Sequence, residues 1–90
     1  MEVFFKPIFI KDFKKLPRET RNEVKNICYE IFPPLNSLKD IKNYKIKPIQ
    51  GFKNYYRIKL GDYRIGFKKE NENIIFMRIL QRKDIYKYFP

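Results

Sequence analysis

The chain has no histidine and only one cysteine, Cys28. One thiol cannot form an internal disulfide, and without a Cys pair or a His there is no ligand set for a zinc or redox centre. Long apolar runs are missing too. The N-terminal one is broken by Lys6, Pro7, Lys11 and Asp12, so nothing reads as a signal peptide or a membrane span, and the cytoplasm is the expected location. Repeats, linkers and low-complexity tracts are also absent, which leaves residues 1–90 as one small domain. Acidic residues are scarce: 10 Asp plus Glu stand against 21 Lys plus Arg, a formal net charge of +11. Charge of that size bears on partners and solubility rather than fold, and nucleic acid is the first partner to consider.

What the chain does have is aromatic residues and a local excess of base. Seven Tyr and nine Phe supply large buried areas, more than a core this small needs. Residues 42–69 carry Lys42, Lys45, Lys47, Lys53, Arg57, Lys59, Arg64, Lys68 and Lys69 against Asp62 alone. That concentration reads as an electrostatic footprint.

The pattern of elements is α+β. Glu2–Lys6 reads as a strand ended by Pro7. Phe9, Phe13 and Leu16 recur at helical spacing and predict an amphipathic helix over 8–16. After Pro17, Val24, Ile27, Cys28, Ile31 and Phe32 predict a second helix, stopped at Pro33-Pro34. Cys28 lies within that apolar stripe and reads as a small hydrophobe. In residues 35–53, Ser37 can cap a turn through Asp40, and Tyr44–Ile49 alternates weakly, like a strand or extended segment. Three antiparallel strands then run from Tyr55 to Arg82, and KDIYKYFP offers a helical turn or tail. The expected order is β-α-α-β-β-β, with two N-terminal helices packed on one face of a mostly antiparallel sheet.

YYRIKL and YRIGFKK are separated by Gly61-Asp62, a two-residue hairpin signal that sets the register. Leu60 then pairs with Tyr63, Lys59 with Arg64, Ile58 with Ile65, Arg57 with Gly66 and Tyr56 with Phe67. Period-two alternation puts Tyr56, Ile58, Leu60, Tyr63, Ile65 and Phe67 on an apolar face, and Arg57, Lys59, Arg64 and Lys68 on a cationic one. If the ENEN loop closes with an odd number of residues, Ile75, Met77 and Ile79 join the core side, while Arg78 and Arg82 join the cations. Lys59 directly opposite Arg64 is unfavourable for stability alone and points to a bound anion.

Phosphate-binding cations beside tyrosines fit single-stranded RNA, which is held through its phosphates and by stacking of splayed bases. Tyr55, Tyr86 and Tyr88 are available to stack, and Lys53, Lys68 and Arg78 add further charge. Cutting RNA without His, Cys or a carboxylate pair would leave Lys and Arg to carry the chemistry. A lysine among other cations releases its proton more readily, as a general base on a 2′-hydroxyl must, and Lys59 lies between Arg57 and Arg64. Arginine stays charged and grips phosphate with two donors, which suits Arg64 and Arg82 to stabilising a phosphorane. The competing reading for each cation is a solvated sheet face.

YRIKLGDYRIGF followed by RILQRKDIY, after two helices, resembles the RelE/ParE superfamily of type II toxin–antitoxin toxins. The resemblance implies a small toxin, needing no metal or other cofactor, whose RelE-type members cleave mRNA in the ribosomal A site, beside the 16S rRNA. A cognate antitoxin would silence it in a hetero-oligomeric complex. ParE-type members instead poison DNA gyrase. By position, Lys59 would deprotonate the 2′-hydroxyl, Arg57 would steady the phosphate, Arg64 would bind the scissile phosphate and Arg82 would assist the leaving 5′-oxygen. Tyr86, or Tyr88 at longer spacing, would stack on a base. Many relatives carry His where this chain has Gln81.

Overall fold

A computed structural model describes all 90 residues, Met1–Pro90. Strand β1 (Glu2–Phe5) leads into helix α1 (Pro7–Lys14), with Pro7 at the first turn, where its missing N–H costs nothing. Helix α2 (Arg18–Asn26) widens at its end into a π-helical turn, Ile27–Ile31. The Ser37 hydroxyl accepts the Lys39 N–H at 3.2 Å and caps a 3-10 turn at Leu38–Asp40. Then come β2 (Ile46–Pro48), β3 (Tyr55–Leu60), β4 (Tyr63–Glu70), β5 (Asn73–Gln81) and helix α3 (Arg82–Tyr88).

The strands form one sheet in the order β1-β5-β4-β3-β2, antiparallel except for the β1–β5 pair. The β3–β4 register is the one expected from the turn, Leu60↔Tyr63 through Tyr56↔Phe67. Gly61 supplies the positive φ, +56°, that such a turn requires. Two elements are firmer than the sequence pattern indicated. The weakly alternating segment becomes β2, an edge strand where Pro48 is tolerated, and the C-terminal tail is helical.

The third hairpin strand differs from expectation. Ile74, Phe76 and Ile79 are buried, whereas Ile75 and Met77 are half-buried. The loop closes with two residues, Asn71 and Glu72, pairing Glu70 with Asn73, so the parity of Ile75 is reversed. A bulge then places Met77 out of register between Phe67↔Phe76 and Gly66↔Arg78, which returns Ile79 to the core side.

Against that face pack Phe9, Leu16, Val24, Ile27, Cys28 and Phe32 from the helical region. Phe32 meets Phe67 and Phe76 edge-on at 5.4 and 5.1 Å between centroids, a favoured aromatic geometry. Burial pushes the Cys28 thiol up to about 12.

Helix α3 covers part of the other face. Ile85 and Phe89 are buried there, outside the main core, and Phe89 sits on Gly66 where a Cβ would come within 2.6 Å of its ring. Along the β5 edge, β1 ends its pairing at Phe5↔Phe76. Buried Asp12 takes over from it, accepting the Ile79 N–H at 3.1 Å and the Arg78 Nε–H at 2.8 Å.

Candidate nucleic-acid interface

Period-two alternation on β3 and β4 brings Arg57, Lys59 and Arg64 to the outer face, and the strand-to-helix junction adds Arg82 and Tyr86. Lys59 stands opposite Arg64, and Arg57 opposite Gly66. The Arg82 backbone N–H donates to the Asp62 carbonyl at 2.7 Å, tying the start of α3 to the hairpin turn. Between them opens a cleft of about 530 Å³ lined by Asp62, Gln81, Arg82, Lys83 and Tyr86.

The cations differ in how firmly they are held. Arg64 is only 6 % exposed, and its Nη1 donates to the carbonyls of Gly61 at 2.7 Å and Tyr63 at 2.8 Å. The turn therefore fixes the guanidinium and offsets part of its charge, which explains how the chain tolerates Lys59 across from it. Lys59 is exposed, and the Arg57 guanidinium carbon lies 5.5 Å from the centre of the Tyr86 ring, within cation–π range. The chain's three ion pairs are Lys68–Glu70, Arg78–Asp12 and Lys87–Asp84, so Arg57, Lys59, Arg64 and Arg82 have no ion-pair partner, with Asp62 the one carboxylate lining the cleft.

The remaining candidates fall elsewhere. Arg78 makes a two-pronged pair with Asp12, at 2.8 and 3.1 Å, and lies under the Tyr88 ring at 5.7 Å. Tyr55 is half-buried, with Phe89 at 5.8 Å and the Lys68 amine at 5.2 Å from its ring. A hydrogen bond to Glu70 raises the pKa of Lys68 and keeps it charged. Lys53 is exposed in the loop before β3. Of the two C-terminal tyrosines, Tyr86 lines the cleft and Tyr88 accompanies Arg78. Sequence reasoning missed Asp62 and Lys83 as cleft residues. Their positions in the Gly61-Asp62 turn and in RKDIY were the available signal.

A family model described as "ParE toxin of type II toxin-antitoxin system, parDE" matches residues 3–86. The chain belongs to this family. Within the wider RelE/ParE superfamily, this toxin is 48% identical over 90 residues to Toxin RelE3 of Methanocaldococcus jannaschii, with all of both chains covered. It superimposes with a TM-score of 0.81 on a chain of the RelB-RelE antitoxin–toxin complex from Methanococcus jannaschii, at 44% identity over 97% of this chain and 99% of that one. The isolated Escherichia coli RelE toxin shares the fold, with a TM-score of 0.68 at 17% identity over 96% of this chain and 90% of that one.

Proposed function

We propose that this toxin is a ribosome-dependent endoribonuclease that cuts mRNA in the A site and so stops translation. The observation that carries the reading is the set of cations without an ion-pair partner, Arg57, Lys59, Arg64 and Arg82, gathered with Tyr86 at one end of the outer sheet face. Tyr86 stacks on a base, and Arg57 and the rigidly held Arg64 grip the scissile phosphate. Lys59 takes the proton of the 2′-hydroxyl, whose oxygen attacks phosphorus to form a 2′,3′-cyclic phosphate. The bond to the 5′-oxygen breaks as Arg82 stabilises the charge that builds there. Gln81 lines the cleft where many relatives have His; it can orient a phosphate or water but cannot shuttle a proton. The ribosome supplies the positioning that a shallow, cationic surface lacks, so free RNA is a poor substrate.

The same face gives the route to silencing. A cognate antitoxin with an acidic segment would cover Arg57, Lys59 and Arg64 in a hetero-oligomeric complex, and the RelB-RelE complex of a relative supports such a partner. Action on ribosomes implies the cytoplasm, and no helix here is long and apolar enough to cross a membrane.

A second reading is inhibition of DNA gyrase without RNA cleavage, favoured by the ParE description of the matching family. Mapping mRNA 5′ ends on programmed ribosomes, with wild-type protein and Lys59→Ala, separates the two. Lys59 is exposed and donates no side-chain hydrogen bond within the chain, so its removal leaves the fold intact. New ends in the A-site codon that vanish with Lys59→Ala are expected. Intact mRNA with the wild-type protein would favour gyrase.

A further inference from the structure

We infer that Phe52 is a second base-stacking contact for single-stranded RNA, at the end of the outer face away from the Arg82–Tyr86 cleft. The inference rests on reading that face as RNA-binding. Phe52 is 52% exposed, whereas Phe9, Phe32, Phe67, Phe76 and Phe89 are buried. Its loop is not slack. The Ile49 N–H donates to the Tyr55 carbonyl at 2.8 Å, the Phe52 N–H to Ile49 at 3.2 Å, and the Lys69 N–H to Asn54 at 2.9 Å. Gly51 and Asn54 both take positive φ, +86° and +68°, a turn conformation that these two residue types adopt most readily. A closed, hydrogen-bonded loop with turn residues at Gly51 and Asn54 thus holds an apolar ring out in water.

The ring's surroundings suit a nucleobase. Phe52 meets Tyr55 nearly perpendicularly, at 6.2 Å and 75°, so a face of Phe52 remains open. Tyr55 itself is enclosed by Lys68 and Phe89 and acts as the support rather than the platform. Lys53, exposed and next to Phe52 in the loop, is the cation nearest in sequence for a phosphate, while Lys68 is held by Glu70 at 2.9 Å. Lys47, opposite Arg57 in the sheet register, continues the cationic strip toward Lys59. Along β3, Arg57, which packs against Tyr86, is two residues from Tyr55, which packs against Phe52, about 7 Å along the strand. One strand can therefore lie along the face with one base on Tyr86 and another on Phe52. Stacking of this kind is tolerant of sequence and works with electrostatic contacts to the backbone.

The chain has no tryptophan, so Phe52→Trp places a single indole reporter at the loop tip. It would be titrated with a short oligoadenylate and, separately, with inorganic polyphosphate, which offers charge without bases. Oligoadenylate should quench the indole, while polyphosphate should bind without quenching. Phe52→Ala should weaken oligoadenylate binding about 5- to 100-fold and leave polyphosphate binding unchanged, whereas Phe52→Tyr should bind like the wild type. Equal oligoadenylate affinity for wild type and Phe52→Ala, equal quenching by polyphosphate, or no oligoadenylate binding by the wild type would each overturn the inference. The readout needs no cleavage. A protein that stacks RNA at Phe52 but leaves ribosomal mRNA intact would remove only the nuclease reading, and the converse result would remove only this one.

Discussion

Gly66→Ala tests whether the C-terminal segment is held on the outer face by a seat made for Phe89. Gly66 does not need a positive φ, so alanine is acceptable to the backbone and the effect must come from the added Cβ. That atom would stand 2.6 Å from Cδ2 and Cε2 of Phe89 and 2.7 Å from Cγ. The ring must leave its place. Phe89 follows the last turn of α3 with extended backbone, so its ring can swing out, and the cost is bounded by what its burial contributes, about 1.5–3 kcal/mol for a phenylalanine. For a domain of this size that is a fall in melting temperature of roughly 5–25 °C. Thermal and urea denaturation of the wild type, both single variants and the Gly66→Ala/Phe89→Ala double variant would measure the coupling. With the ring absent, Gly66→Ala should be neutral or stabilise by about 0.5 kcal/mol, because glycine is a poor strand residue. An equal loss in both backgrounds would show that the glycine serves the strand and not the phenylalanine. The displaced ring should also loosen α3 and with it the Arg57–Tyr86 contact.

Two other groups make separate predictions. Asp12→Ala strands the Arg78 guanidinium and the Ile79 N–H at the β5 edge, where Asp12 is 7 % and the Arg78 side chain 17 % exposed. Breaking such a pair should cost about 3 kcal/mol in urea denaturation; a loss below ~1 kcal/mol would show that water screens the pair. The Cys28 thiol is raised by burial from its ordinary 9.0 to about 12. Its contribution to stability is therefore complete below pH 9 and is lost as pH rises toward 12. Relative to Cys28→Ala, the wild type should lose about 1.4 kcal/mol per pH unit across that window. Parallel pH–stability curves would contradict the burial of the thiol.

Local rules made much of this protein readable. The Gly61-Asp62 turn and the alternation on either side of it were enough for the β3–β4 register and for the opposition of Lys59 and Arg64. Ser37 announced its cap, and the apolar stripes announced α1 and α2. On β5 the faces differ from the pattern because Ile74 and Ile75, like Phe76 and Met77, are both apolar, so the sequence marks neither the two-residue loop nor the bulge. No local pattern marks Gly66, because the ring that rests on it, Phe89, comes from another element 23 residues along the chain.

By itself, then, the sequence determined β1, α1, α2, the β3–β4 hairpin with its register and the existence of a cationic face, since each depends on turn geometry or periodicity among near neighbours. Which members of that face remain available was decided only by the tertiary structure. Arg78 is engaged by Asp12 across 66 residues and Tyr55 is enclosed, whereas Arg64 is fixed in place through one nitrogen by its own turn and Phe52 is left exposed. The physical reason is that an ion pair or an aromatic contact depends on distances between side chains from separate elements, and those distances arise only when the sheet and its three helices pack.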